Sequence, residues 1–240
     1  IETELASDKM MGRAIFTDGI GLASDFIENE FKKIGLHYFD NLKSYRQDFV
    51  VDGKNANNVI GILPGKSKLG EYVIFSAHYD HLGLVDAVNA GDDVVYNGAN
   101  DDASGTTAVI ALAKYFKELN QNERTIIFVT FTGEEVGGFG SAFFSKNIDP
   151  NKVVAMFNIE MIGTESKWGK NSAYITGFEK SNFGTILQKN LKGTAFNFNP
   201  DPYPQEQLFY RSDNARLAAL GVPAHTISTS KMDIEPNYHK

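Results

Sequence analysis

Glu134 and Glu135 stand side by side just after the apolar run Thr125 to Phe131, where a buried strand would end and a glycine turn begin. Three other segments share that form. Tyr72 to Ala77 runs into His78, Asp80 and His81; Gly98 to Gly105 is a polar turn carrying Asp101 and Asp102 ahead of a helix; Val153 to Ile159 runs into Glu160. A solvated loop would account for one acidic pair, but four such segments call for a chemical explanation. In an open, mostly parallel sheet, ligands collect outside the carboxyl ends of the strands. The chain has no cysteine, so an ion there must be held by His, Asp and Glu. That donor set suits zinc, with manganese and cobalt also matching by ligand type.

His78, Asp101, Glu135, Glu160 and a second histidine are enough for two ions about 3.5 to 4 Å apart, with one carboxylate bridging. Glu134 is then left over. A carboxylate beside the ions but not bound to them is what a hydrolase needs to take a proton from water and pass it to a leaving amine. Asp80, two residues beyond His78, is in reach to hold that imidazole through its other nitrogen.

These residues need a scaffold that brings strand ends together. Tyr72 to Ala77 and Thr125 to Phe131 are continuous apolar runs, as in strands covered on both faces. Between them Val109, Leu112, Ala113, Phe116 and Leu119 mark one face of a helix starting near Asp102 and Ser104, both good cap types. Strand, turn, helix, strand is a crossover unit. Upstream, Leu22, Phe26, Ile27, Phe31 and Ile34 recur at helical spacing before Gly35, a helix with a glycine stop. Tyr45 to Val51 and Asn58 to Leu63 read as an antiparallel edge, the second strand closed by Pro64-Gly65. Further strands are expected at 153–159, 173–176 and 222–228, and helices at 182–191 and 214–220. The fold class is α/β, a single domain with a mixed, mostly parallel sheet between helices.

Composition narrows the function. At 240 residues and 42% hydrophobic content the chain can bury the core of one such domain. A formal charge of −7, from 30 acidic and 23 basic residues, with no long basic run, argues against a nucleic-acid partner. No stretch approaches the roughly 20 apolar residues of a membrane span. The start, Ile1-Glu-Thr-Glu4, resembles a trimmed one; with the lack of cysteine it leads us to expect a periplasmic or extracellular location.

Five segments in order, Ser76 to Gly83, Gly98 to Gly105, Phe131 to Glu135, Asn158 to Gly163 and Asn237 to His239, resemble the motifs of the two-zinc exopeptidases that include bacterial leucyl aminopeptidases. Glutamate carboxypeptidase II and the glutaminyl cyclases share that scaffold. The resemblance implies Zn2+, two per chain, with His78 and Glu160 on separate ions, Asp101 bridging, Glu135 on one ion and His239 completing the set. It makes Glu134 the general base, implies a cis peptide between Asp101 and Asp102, and offers Tyr238 as a donor to the tetrahedral oxyanion. Many relatives carry aspartate where this chain has Glu160. They also continue beyond the position of His239, so a closing segment is expected past Lys240, and without it the second ion should be weakly held.

The remaining histidines read differently: His225 as a strand residue, His81 as support or loop, His37 as surface. Arg211-Ser212-Asp213-Asn214 resembles a segment lining the substrate side, with Ser212 or Asp213 capping the next helix. Phe139, Tyr203, Phe209 and Tyr210 could wall an apolar pocket. The implied activity is removal of an N-terminal residue from a peptide with a free amine. A carboxypeptidase, for which Arg211 would have to meet the substrate carboxylate, a one-zinc glutaminyl cyclase and an inactive peptide-binding scaffold are the alternatives.

Overall fold

The computed structural model describes residues 1–235 except 88 and 90, together with 238 and 239. A short helix α1 (Glu2–Leu5) and a 3-10 segment (Asp8–Arg13) lead into α2 (Asp18–Ile34). Gly35 ends α2 as expected, at φ 76° with its amide on the Phe31 and Lys32 carbonyls, a left-handed cap that glycine adopts without strain. Then come β1 (His37–Tyr38), β2 (Arg46–Val51), β3 (Lys54–Leu63), β4 (Lys68–His78), a hairpin of β5 (Gly83–Leu84) and β6 (Val95–Tyr96), α3 (Ser104–Leu119) and β7 (Arg124–Phe131). The second half carries α4 (Phe139–Lys146), β8 (Val153–Ile159), β9 (Ser172–Ile175), α5 (Phe183–Asn190), β10 (Asn197–Pro200), α6 (Asn214–Ala218) and β11 (Ala224–Ser228).

The main sheet runs β1-β3-β7-β4-β8-β11-β9-β10, with β2 paired to β3. Its centre, β7, β4, β8 and β11, is parallel. β3 joins β7 antiparallel, and β9 joins β11 antiparallel. This is the mixed α/β sheet expected, with the antiparallel edge where Tyr45 to Leu63 placed it.

Two apolar layers hold the sheet between helices. Along β7, Ile126 and Phe128 pack with Ile27 and Phe31 of α2 and Val109 and Ala113 of α3. The alternate residues Ile127, Val129 and Phe131 pack with Phe144 of α4 and Leu217 of α6. The two-residue period of a strand sends successive side chains to opposite layers, which is why the run is apolar throughout. No described helix is long and apolar enough to cross a membrane.

Because β7, β4 and β8 run parallel, their carboxyl ends open on one edge. His78 is the last residue of β4, Glu134 and Glu135 follow β7 by three and four residues, and Glu160 follows β8 directly.

Candidate metal centre

His78 is fully buried, with Nε2 3.1 Å from Asp101 Oδ1. One donor atom each from His78, Asp101 and Glu160 lies within 4.8 Å of the others, and the same holds for His81, Asp101 and Glu135. Asp101 belongs to both triads and so stands between them, as expected, but His78 and Glu160 were expected on separate ions and instead share one triad, because the ends of the neighbouring strands β4 and β8 bring them to the same side of Asp101. His239 approaches the second triad, its Nε2 3.3 Å from Glu135 Oε2 and 3.7 Å from Asp101 Oδ2. Asn237, the first residue of the last motif, lies outside the described residues.

The donor atoms fit divalent ions. His78 Nε2, His81 Nε2 and Asp101 Oδ1 are buried with no hydrogen-bond partner among the described residues, whereas buried polar atoms are nearly always paired. Imidazole nitrogens and carboxylate oxygens converging from two sides form the donor set of a two-ion site.

His81, expected as support or loop, meets a metal-site carboxylate. Its Nδ1 is 2.7 Å from Glu135 Oε1, leaving Nε2 for an ion, and its side chain is fully buried where that of His239 is 38% exposed. Two imidazoles therefore flank Glu135. The signal was the residue's position: Gly98, at φ 55°, brings the Asp101 turn so close that a β-carbon would strike the His81 ring.

Asp80 divides its work. Its backbone carbonyl, 3.1 Å from His78 Nδ1, orients the imidazole, while the carboxylate is 3.7 Å away. That carboxylate instead accepts the backbone amides of Glu134 and Glu135 at 3.2 and 3.3 Å, tying the loop after β7 to the loop after β4. Asp102 does the same on the other side. Across the cis bond from Asp101, it accepts the amides of His78, Gly105 and Met161, joining the end of β4, the start of α3 and the segment after β8.

Ser212 and Asp213 do not cap α6; neither makes a side-chain cap bond there. The Ser212 hydroxyl donates to Glu160 and accepts from Asn158 Nδ2. Asp213 is buried with neither carboxylate oxygen bonded among the described residues, and burial pushes it up to about 6 despite the pull of His78.

Arg13, absent from the sequence reading, is wholly buried beneath the site. Its Nε donates to Tyr79 O at 2.9 Å, Nη1 to Leu5 O and to Asn97 O at 2.7 Å, and Nη2 to Gly98 O at 2.9 Å. The His81 amide donates back to the Arg13 carbonyl. One guanidinium thus ties the His78–His81 loop to the turn that delivers Asp101. Burial lowers it to about 10 against the opposing fields of Asp80, Asp102 and Asp101, so it remains charged at neutral pH.

The carboxylates repel one another. Burial, then Glu160, Asp213 and Asp80, push Glu134 well above the usual range against the attraction of His78. Burial likewise raises Glu160 to about 7. Burial disfavours charge on His78, yet the nearby carboxylates of Asp101 and Asp80 leave its affinity for a proton raised overall.

A cleft of about 280 Å3 opens onto these groups, walled by Met161, Tyr174, Leu208, Met232 and Tyr238. The expected aromatics stand elsewhere. Tyr203 is buried with its hydroxyl on Asp233, Phe139 opens α4, and Phe209 and Tyr210 flank Lys180. His225 is also apart, its Nδ1 on Thr176 O at 2.9 Å, Nε2 2.6 Å from Ser181 Oγ and its ring stacked on Phe183.

Comparison with known proteins gives the chain its relatives. A probable zinc metalloprotease of Pyrenophora tritici-repentis is 29% identical over 160 residues, covering 62% of this chain and 32% of that protein. The aminopeptidase YwaD of Bacillus subtilis is 29% identical over 123 residues, covering 50% of this chain and 24% of that one. The chain thus spans about a third or less of the length of these curated relatives. Among solved structures, the LapA aminopeptidase of Legionella pneumophila superposes with a TM-score of 0.75 at 17% identity, over 98% of this chain and 59% of that one, a likeness of fold. Residues 58–240 match Peptidase family M28, and the chain belongs to that family.

Proposed function

We propose that this chain is a single-domain, two-zinc aminopeptidase acting on peptides with a free N-terminus. The observation that carries the reading is the position of Glu134, partly buried beside both triads, belonging to neither, and lining the cleft they open on. The names of the relatives, zinc metalloprotease and aminopeptidase, point the same way.

His78, Asp101 and Glu160 would hold one zinc ion, and Asp101, Glu135 and an imidazole from His81 or His239 the other. Bound there, the pair would supply Lewis-acid polarisation of a peptide carbonyl and acidification of water. Glu134 takes the proton from the attacking water and delivers it to the departing amine. Asp80 fixes the Glu134 backbone so that the carboxylate stays aimed into the cleft. Tyr238, pushed up to about 12 by burial and by Asp101, keeps its proton and can donate to the carbonyl oxygen as negative charge develops on it.

The cleft favours the amino end of a peptide. Asp101, Glu134, Glu135 and Glu160 line it, with Arg211 as the one arginine or lysine among the described residues, and Arg211 Nη1 is already 3.0 Å from Glu206. Of the lining carboxylates only Glu134 is not assigned to an ion, and no described arginine or lysine there is free to meet a substrate carboxylate. Met161, Leu208 and Met232 make the side-chain wall apolar. The test is Glu134→Gln, which should keep both zinc ions and lower kcat by about 10²- to 10⁴-fold; wild-type turnover would remove Glu134 as the base.

A further inference from the structure

Beyond the cleft that receives the amino end, a second and larger one of about 580 Å3 starts at the same residues, Glu134, Arg211 and Ser212, and runs between α4 and α6. It contains none of the residues of the two triads. Lys146 from the last turn of α4 and Arg216 from α6 line it, with the hydroxyls of Ser141 and Ser145 between. Both cations are exposed. Arg216 Nη2 donates to the Gly137 carbonyl at 2.8 Å, which points the guanidinium along the loop that carries Glu134. Neither cation has a carboxylate at ion-pairing distance among the described residues, whereas Arg211 is matched by Glu206. Glu134, at the junction, is the one acidic residue among the described residues of the lining.

We propose that this groove binds the departing side of the substrate and selects for a carboxylate there. The inference rests on the aminopeptidase reading. With the terminal residue in the apolar cleft, the bond to be broken lies beside Glu134, and the rest of the peptide leaves through the groove. Two unpaired cations on its walls meet a negative charge one or two residues beyond the scissile bond. That charge is either the C-terminal carboxylate of a short peptide or an Asp or Glu side chain of a longer one.

Four substrates separate these sources on the zinc-loaded enzyme. Leu-Ala against Leu-Ala amide tests the terminal carboxylate, and Leu-Asp amide against Leu-Asn amide tests the side chain. The wild type should favour the anionic member of at least one pair by about tenfold in kcat/KM, the size expected for two partly exposed ion pairs. The double variant Lys146→Ala/Arg216→Ala should bring that ratio close to one. So should raising the ionic strength of the wild-type assay to about 0.5 M, where screening acts over only a few ångströms, a test that needs no variant to fold. Equal rates within both pairs in the wild type, or a preference that survives both the double variant and salt, would overturn the assignment while leaving aminopeptidase activity intact. No cleavage of any of the four by the zinc-loaded protein would instead refute the aminopeptidase reading and the groove's role with it.

Discussion

Replacing Arg13 by methionine should cost the fold more than any surface change and should loosen the site. The guanidinium makes four hydrogen bonds to backbone carbonyls of Leu5, Tyr79, Asn97 and Gly98. A hydrogen bond to a charged group contributes about 1.5 to 3 kcal/mol, but removing the buried charge also removes its desolvation cost. Met refills much of the volume and leaves the four carbonyls unmet, so the net loss should be about 3 kcal/mol. Against the 5 to 15 kcal/mol typical of a domain, that is a large fraction. Urea unfolding of the metal-free protein measures it, with Arg13→Lys as the intermediate case, since an ammonium keeps the charge but has only three donors. A loss below about 1 kcal/mol would refute the idea that Arg13 clamps the two ligand loops. If the clamp is real, the folded variant should also bind zinc more weakly, because Tyr79 and Gly98 lie beside His78 and ahead of Asp101.

Three further outcomes are expected. His81→Ala and His239→Ala should each lower the content of the second ion in elemental analysis after desalting, while His225→Ala, whose ring bonds Thr176 and Ser181, should leave metal content unchanged. Glu160 and Asp213, raised to about 7 and 6 by burial, bind protons in the folded metal-free protein at pH values where the unfolded chain has lost them. Their contribution to stability is therefore full below about pH 4.5 and lost as pH rises toward 7. The melting temperature of the metal-free protein should fall across that window, and a flat or rising profile would contradict it. Zinc binding near pH 6 should release protons, read as heats that change with buffer ionisation enthalpy; heats independent of buffer would contradict it.

Much of the site was legible because each donor sits where an apolar strand stops. The run Thr125 to Phe131 marks β7, and the acidic pair after it faces the same edge as His78 because β4 and β7 are parallel. What escaped notice depends on long-range contact. Arg13 looks like an ordinary basic residue in a weakly helical stretch, and only the fold brings Leu5, Tyr79, Asn97 and Gly98 around it. Asp102 sits in a good cap position, and nothing local shows that its oxygens collect amides from three elements. For His81 the sequence left support and loop open, because its approach to Glu135 depends on the close turn at Gly98. Ser212 and Asp213 misled in the opposite direction, since cap-type residues ahead of a helix bond to Glu160 or stay unpaired here. β10, Asn197–Pro200, has a polar sequence with little strand preference and is recruited by its parallel partner β9. α4 is eight residues long, too short for a helical period to stand out.

Zinc content per chain, measured by elemental analysis together with release of the N-terminal residue from Leu-Ala and Leu-Ala amide before and after chelation, tests the central claim most directly. The geometry of the two triads requires about two zinc ions per chain, hydrolysis that stops with chelator, and its return when zinc is restored. One ion or none after equilibration with excess zinc, or hydrolysis indifferent to chelator, would contradict the two-ion site and the role given to Glu134 beside it.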